Sequence, residues 1–151
     1  MHPAELPERD QESRRPGQLE AALSRAEEAE ALYRTLVERL PAITYTETID
    51  EGNTLSISPQ VEDVLGYTPE EWMGNDIWVR ILHPDDRKRV VEACHAANAE
   101  RRPYHDEYRM NTKDGRTVWI RDEAEIVWGS DGRPLCWQGV MTDVTSQRGA
   151  E

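Results

Sequence analysis

The chain has 151 residues, 30 acidic against 18 basic, and a formal net charge of -12. That length accommodates one domain with attachments, and that charge disfavours nucleic-acid and anionic-membrane partners alike. No apolar run approaches the roughly 20 residues of a membrane span, MHPAELPERD lacks an apolar signal core, and Cys94 and Cys136 form no C-x-x-C pair; the expectation is a cytoplasmic protein with reduced, buried thiols.

Residues 1–17 are polar and hold three prolines, which predicts a disordered tail. Residues 18–40 lack Gly and Pro and are rich in Ala, Leu, Glu and Arg, which predicts a long helix ended by Pro41. Leu19, Ala22, Ala26, Ala29, Tyr33, Leu36 and Leu40 alternate steps of three and four, a heptad seam suited to a homodimer. The alanines weaken its first half, while Leu32 and Val37 broaden the apolar face near its end.

Beyond Pro41 the period becomes two. Ile43, Tyr45 and Ile49 alternate with Thr44, Thr46 and Thr48, then Glu51-Gly52-Asn53 leads to a short strand over Thr54 to Ser58, predicting a hairpin. Ser58 before Pro59 and Thr68 before Pro69 each read as a cap followed by proline at the first helical position, with Gly66 and Gly74 stopping two short helices. A third helix opens at HPDDR, residues 83–87, and ends near Arg101-Arg102-Pro103. Three strands follow, separated by Lys113-Asp114-Gly115 and Ser130-Asp131-Gly132. Tyr104, Asp106, Tyr108 and Met110 share one parity of the first; Val118, Ile120, Ala124, Ile126 and Trp128 share one parity of the second. In the third, Leu135, Trp137 and Met141 lie on one face and Cys136, Val140 and Val144 on the other, which predicts a central strand covered on both sides. The order β-β-α-α-α-β-β-β behind a leading helix is an α+β fold: a five-stranded antiparallel sheet with short helices on one face.

The HPDDR box places an imidazole beside two carboxylates, a combination that catalysis or a metal could use. A helix start explains every residue more simply: Pro84 lacks only an N–H that would be unpaired, and Asp85 and Asp86 meet the positive end of the first turn. His2, His95 and His105 show no ligand spacing with His83. With no Ser/His/Asp or Cys/His spacing and no phosphate loop, the sequence predicts neither a catalytic nor a metal site.

Six pieces in this order resemble the PAS sensor family over residues 41–146. They are SPQVEDVLGYTPEE from Ser58, HPDDR from His83, EYR from Glu107 with KDG from Lys113, VWI from Val118, DGRP from Asp131 and DVT from Asp143. The helix at 18–40 resembles the amphipathic helix that flanks such domains and joins their dimers. The resemblance implies a non-enzymatic sensory or dimerisation module of a bacterial-type signalling protein. Its signal would leave through Asp143 and Thr145, and residues 147–151 would lead to an output domain or the chain end.

The resemblance also bears on cofactors. Aligned on Gly74, the reactive cysteine of the flavin branch falls at Ile77, and the glutamine that would bond the flavin ring falls at Met141. The haem-ligating histidine falls at Val91, with His95 one turn further and Cys94 beside it. Neither flavin nor haem is therefore expected. The candidate ligand cavity comprises Tyr45, Ile77, Val91, Cys94, Tyr108, Met110, Ile120, Trp137 and Met141. Two functions stay open: a small-molecule sensor with these residues lining a pocket, or a pure interaction module with the same residues filling the core.

Overall fold

The computed structural model describes residues 5–39, 41–74 and 76–149. Leu40 of the heptad and residues 150 and 151 of the exit lie outside the described residues. The chain divides into two units, at residues 1–39 and 40–151.

In the first unit, helix α1 runs over Glu5–Arg39. Helical backbone thus covers most of the stretch expected to be a disordered tail. Pro7 falls in the first turn, where its missing N–H removes no bond, and Glu, Arg and Gln, all good helix formers, fill most of the positions up to Pro16. Leu19, Ala22, Ala26, Ala29, Tyr33 and Leu36 are all exposed, as are Leu23 and Leu32.

In the second unit, strands β1 (Ala42–Glu47) and β2 (Thr54–Ile57) form the hairpin. Helices α2 (Gln60–Leu65), α3 (Pro69–Trp72), α4 (Ile77–Ile81) and α5 (Pro84–Glu100) follow. Strands β3 (Tyr104–Asn111), β4 (Thr117–Trp128) and β5 (Pro134–Asp143) complete an antiparallel sheet in the order β2-β1-β5-β4-β3, and α6 (Thr145–Gly149) closes the chain. The sequence reading had no α4: its apolar residues 77–79 show no period in so short a run, and the turn forms because Ile77 and Ile81 are buried one helical turn apart.

The caps separate two devices that look alike in sequence. At α3, Thr68 Oγ1 accepts the Glu71 N–H at 3.1 Å while the Glu71 carboxylate accepts the Thr68 N–H at 3.3 Å, a capping box. At α2, Ser58 does not cap; its hydroxyl accepts the Thr44 N–H at 2.9 Å and ties the helix entrance to β1. Gly66 ends α2 at φ +87°, a conformation that a side chain would oppose.

Strand β5 is central in order, as expected, yet only one of its faces is covered. Trp137, Gly139 and Met141 are buried, whereas Gln138 and Val140 are exposed and Cys136 is half-buried. On the second parity Val140 reflects strand propensity rather than a second layer, while Val144, just beyond the strand, is buried. The core lies on the other face, where Ile43, Tyr108, Met110, Ile120 and Met141 meet Val61, Leu65 and Val90 from the helices and Leu82 from the link between α4 and α5.

The HPDDR box is a helix start with an added tie. His83 Nδ1 accepts the Asp85 N–H at 3.1 Å, and Arg87 donates to the carbonyls of Val79, Arg80 and Leu82, closing the C-terminal end of α4. Asp86 does more than face the dipole: its carboxylate accepts the Arg109 backbone N–H at 2.9 Å and the Arg109 guanidinium at 3.0 and 2.8 Å, fastening α5 to β3. Hydrogen bonding by Arg109 holds the Asp86 carboxyl down at about 2. A depressed carboxyl contributes stability above its unfolded pKa and loses it as pH falls towards the folded value. Asp86→Asn is expected to cost about 2 kcal/mol at neutral pH in urea denaturation, because charge-assisted bonds are replaced by weaker ones. The penalty should shrink as pH falls from about 4 to about 2; a constant penalty would show that the charge is not the source.

Candidate functional site

Among the inward positions of the sheet are two carboxylates that the sequence reading passed over. On β1, Glu47 shares the parity of Ile43 and Tyr45; on β4, Asp122 shares that of Val118, Ile120 and Ala124. Asp122 is only 3% exposed. Tyr45 donates to its Oδ1 at 2.6 Å and Tyr108 to its Oδ2 at 2.7 Å, while Trp78 Nε1 donates to the Tyr108 oxygen at 2.9 Å. The Trp78 and Tyr108 rings meet edge to face, 6.0 Å apart and at 86°. Both tyrosines therefore spend their hydroxyl protons on one carboxylate.

That arrangement needs Gly139. The register sets Tyr45 opposite Gly139 on β5, and Gly139 opposite Ala124 on β4. A Cβ at Gly139 would overlap the Tyr45 ring, so the missing side chain lets the phenol lie across β5 to reach Asp122.

Between this sheet face and the helices is a cavity of about 290 Å³. It is lined by Tyr45, Glu47 and Asp122, by Trp72, Ile77 and Trp78 from the short helices, and by Val91, Cys94 and His95 from α5. Trp137, Ala124 and the loop over residues 48–53 complete the wall on the far side. A hydrogen-bonded latch holds that loop in place: Trp137 Nε1 donates to Asn98 Oδ1 at 2.8 Å, Asn98 Nδ2 to Asp50 at 3.0 Å, and Arg101 to Asp50 at 2.8 Å.

Of the residues expected around a ligand, Tyr45, Ile77, Val91, Cys94 and Trp137 line this cavity. Tyr108, Met110, Ile120 and Met141 do not; they are fully packed beneath it, and Tyr108 acts on it through Asp122 and Trp78. Glu47, Asp122, Trp72 and Trp78 were missed. The available signal was a charged residue on an otherwise apolar parity, which both carboxylates show.

Burial pushes the Asp122 carboxyl up to about 6, against the pull of the two tyrosine hydroxyls. Burial, and then the charge of Asp122, push Glu47 up to about 7. Burial raises Tyr45 and Tyr108 well above the ordinary phenol and Cys94 to about 12, so these groups stay protonated and Cys94 is no thiolate nucleophile. Asp106, paired across the strands with Asp122, carries its own counter-ion: Arg89 donates to both its oxygens, at 2.9 and 3.0 Å. Among the described residues no group of three or more His, Cys, Asp or Glu is placed to hold a metal.

At the exit, the Thr145 backbone N–H donates to Asp143 Oδ1 at 2.9 Å and the Trp119 N–H to Thr145 Oγ1 at 2.9 Å. Arg148 stacks 3.8 Å above the Trp119 ring and donates to Glu107 at 3.2 Å. The short helix α6 is thereby tied to β4 and β3.

The family described as PAS fold matches residues 54–141. This chain belongs to the PAS-fold family. The PAS chain is 34% identical over 89 residues to the methyl sulfide methyltransferase-associated sensor of Methanosarcina acetivorans, covering 58% of the chain and 9% of that protein. It is 31% identical over 97 residues to a blue-light-activated histidine kinase of Brucella ovis, covering 64% of the chain and 19% of the kinase. The crystal structure of the N-terminal domain of a diguanylate cyclase with PAS/PAC sensor from Marinobacter aquaeolei superposes with a TM-score of 0.65 at 28% identity, covering 71% of this chain and 98% of that one. The chain spans between 9% and 19% of the length of the curated relatives it matches. By these matches the PAS domain is a sensory module of the signal-transduction kind, not itself a catalytic one. No described helix is long and apolar enough to cross a membrane.

Flavin and haem do not fit this cavity. Its described lining holds Glu47 and Asp122 and neither Lys nor Arg, so a flavin phosphate or haem propionates would meet like charge. Ile77 has no thiol, Val91 cannot ligate iron, and His95 is exposed at the cavity edge.

The raised carboxyls have a consequence for stability. A carboxyl whose folded pKa lies above its unfolded value near 4 binds protons more readily in the folded state, so its contribution declines as pH rises through that window. The groups acting on Glu47 and Asp122 include the protonated Tyr45, Tyr108 and Cys94, Asp106 on its Arg89 partner, and Glu123 next along β4. Thermal melting should fall between about pH 5 and about pH 8, and Glu47→Gln should flatten that fall. An equally steep fall in the variant would remove Glu47 as its source.

Proposed function

We propose that the PAS cavity is the sensory site for a small molecule, in a longer cytoplasmic signalling protein whose output domain receives the signal. The observation that carries this reading is the open volume of about 290 Å³ beside a buried carboxylate, where a dimerisation module would need only a filled core. Occupancy has a direct mechanical route to the exit. Strand β5 carries Trp137 at the cavity and Asp143 at the exit, and β4 carries Asp122 at the cavity and Trp119 under Thr145. A ligand that repositions Trp137 or Asp122 acts on both ends of the same strands, and it shifts the signalling equilibrium only as far as it prefers one arrangement. The light response named for the Brucella kinase is not carried over, since Ile77 and Met141 stand where the flavin branch places its functional side chains.

A saturating ligand should raise the melting temperature. At 100 times its dissociation constant the stabilisation is about 2.7 kcal/mol. Filling the space tests the site directly, and the position for it is Val91 on the cavity wall, not the packed Met141. Val91→Trp should abolish the ligand shift at little cost to stability. A loss of roughly 1–3 kcal/mol together with a metabolite screen that shifts nothing would favour the filled interaction module instead.

The exposed leucines of α1 support a homodimer joined through that helix. Leu36→Glu would place charge on the seam and should convert a dimer to monomer by light scattering, as should a chain beginning at Glu38. A dimer that survives both changes would move the interface to the sheet.

A further inference from the structure

The cavity carries an unusual balance of groups. Its described lining includes Glu47, Glu51, Asp76 and Asp122 without a Lys or Arg, and Asp50, the remaining carboxylate, is already paired with Arg101. Neither Glu47 nor Asp122 forms an ion pair with a described residue. Four donors around the inner end of the cavity are already spent: the Tyr45 and Tyr108 hydroxyls on Asp122, the Trp78 indole on Tyr108 and the Trp137 indole on Asn98. What these aromatic side chains still offer is ring surface, whose negative faces attract a cation. An anion would enter against buried negative charge, and a neutral guest would leave that charge unbalanced.

We propose that the ligand is an organic cation, a protonated amine whose head sits between Glu47 and Asp122 while its apolar body lies against Trp72, Trp78 and Trp137. The inference rests on the sensory-site reading above and adds its chemical class. Asp122 supplies the inner counter-charge: held by two neutral donors, it retains accepting capacity on both oxygens and keeps its position before the guest arrives. Glu47 supplies the outer one, at the start of the loop that frames the cavity. Binding exchanges no atoms and needs no co-reactant; one ammonium is transferred from water to two carboxylates and a ring of indoles.

The test uses the full chain and three probes of one shape: 2-phenylethylamine, 2-phenylethanol and phenylacetate. At about pH 8 the amine is protonated and both carboxyls are ionised. By calorimetric titration the amine should bind at least about tenfold more tightly than the alcohol, with phenylacetate weaker still. Glu47→Gln and Asp122→Asn should each erase most of the amine's advantage over the alcohol. Equal or tighter binding of the alcohol or of phenylacetate would overturn the cationic class and leave the cavity standing as a ligand site. Failure of all three probes to bind at millimolar concentration would also overturn it, and the metabolite screen with Val91→Trp then decides the sensory reading by itself. If Asp122→Asn does not fold, the charge series on the unaltered chain together with Glu47→Gln carries the decision.

Discussion

A carboxylate on the covered face of a sheet is the constraint around which this domain is arranged. Asp122 cannot be left without partners at 3% exposure, because an unsatisfied buried charge costs several kcal/mol. The fold answers with two phenols from different strands. Tyr108 reaches it from β3, the next strand, but Tyr45 must cross β5 from β1. That crossing requires a bare backbone at Gly139, and the register that puts Tyr45 opposite Gly139 also sets Ile43 opposite Met141 and Glu47 opposite Trp137. One polar demand therefore fixes the identity of a central glycine and the pairing of the sheet.

The helices inherit the same constraint. Trp78 reaches the Tyr108 oxygen only because α4 is held where it is, and Arg87 holds it there by bonding three carbonyls at its end. Arg87 belongs to α5, and α5 is fastened to β3 by Asp86 and Arg109. The path from the helix start to the cavity floor is a continuous set of charge-assisted and neutral hydrogen bonds, a network in which removing one partner strands the next.

Two carboxylates of this domain show how counter-ion placement separates structure from function. Asp86 has a guanidinium in bidentate contact and is held near 2, a group committed to stability. Asp122 has only neutral donors and sits near 6, beside open volume. The first is finished chemistry. The second leaves charge unmatched beside open volume, the feature on which the proposed cationic guest rests, since a guest with no differential contact changes nothing.

The sequence by itself determined the class of fold, because the switch of period from helical to two at Pro41 and the spacing of the turns dictate which face of each element is apolar. Thr68 to Glu71 and HPDDR were legible as helix starts for a similar reason: capping is chemistry between neighbours in the chain. Gln138 and Val140 on the outer face of β5, the turn of α4 and the use of Ser58 on β1 were not, since burial and cross-strand bonds involve residues far apart in sequence. The cavity was half legible. Tyr45, Ile77, Val91, Cys94 and Trp137 follow from parity and motif, whereas Glu47 and Asp122 look like ordinary charged residues until the sheet is assembled. Only the tertiary structure decided that these carboxylates face inward, that Met141 packs while Val91 lines open space, and that Gly139 is empty so that Tyr45 can pass. Each depends on what stands across a strand or across the core, and local sequence carries no record of that distance.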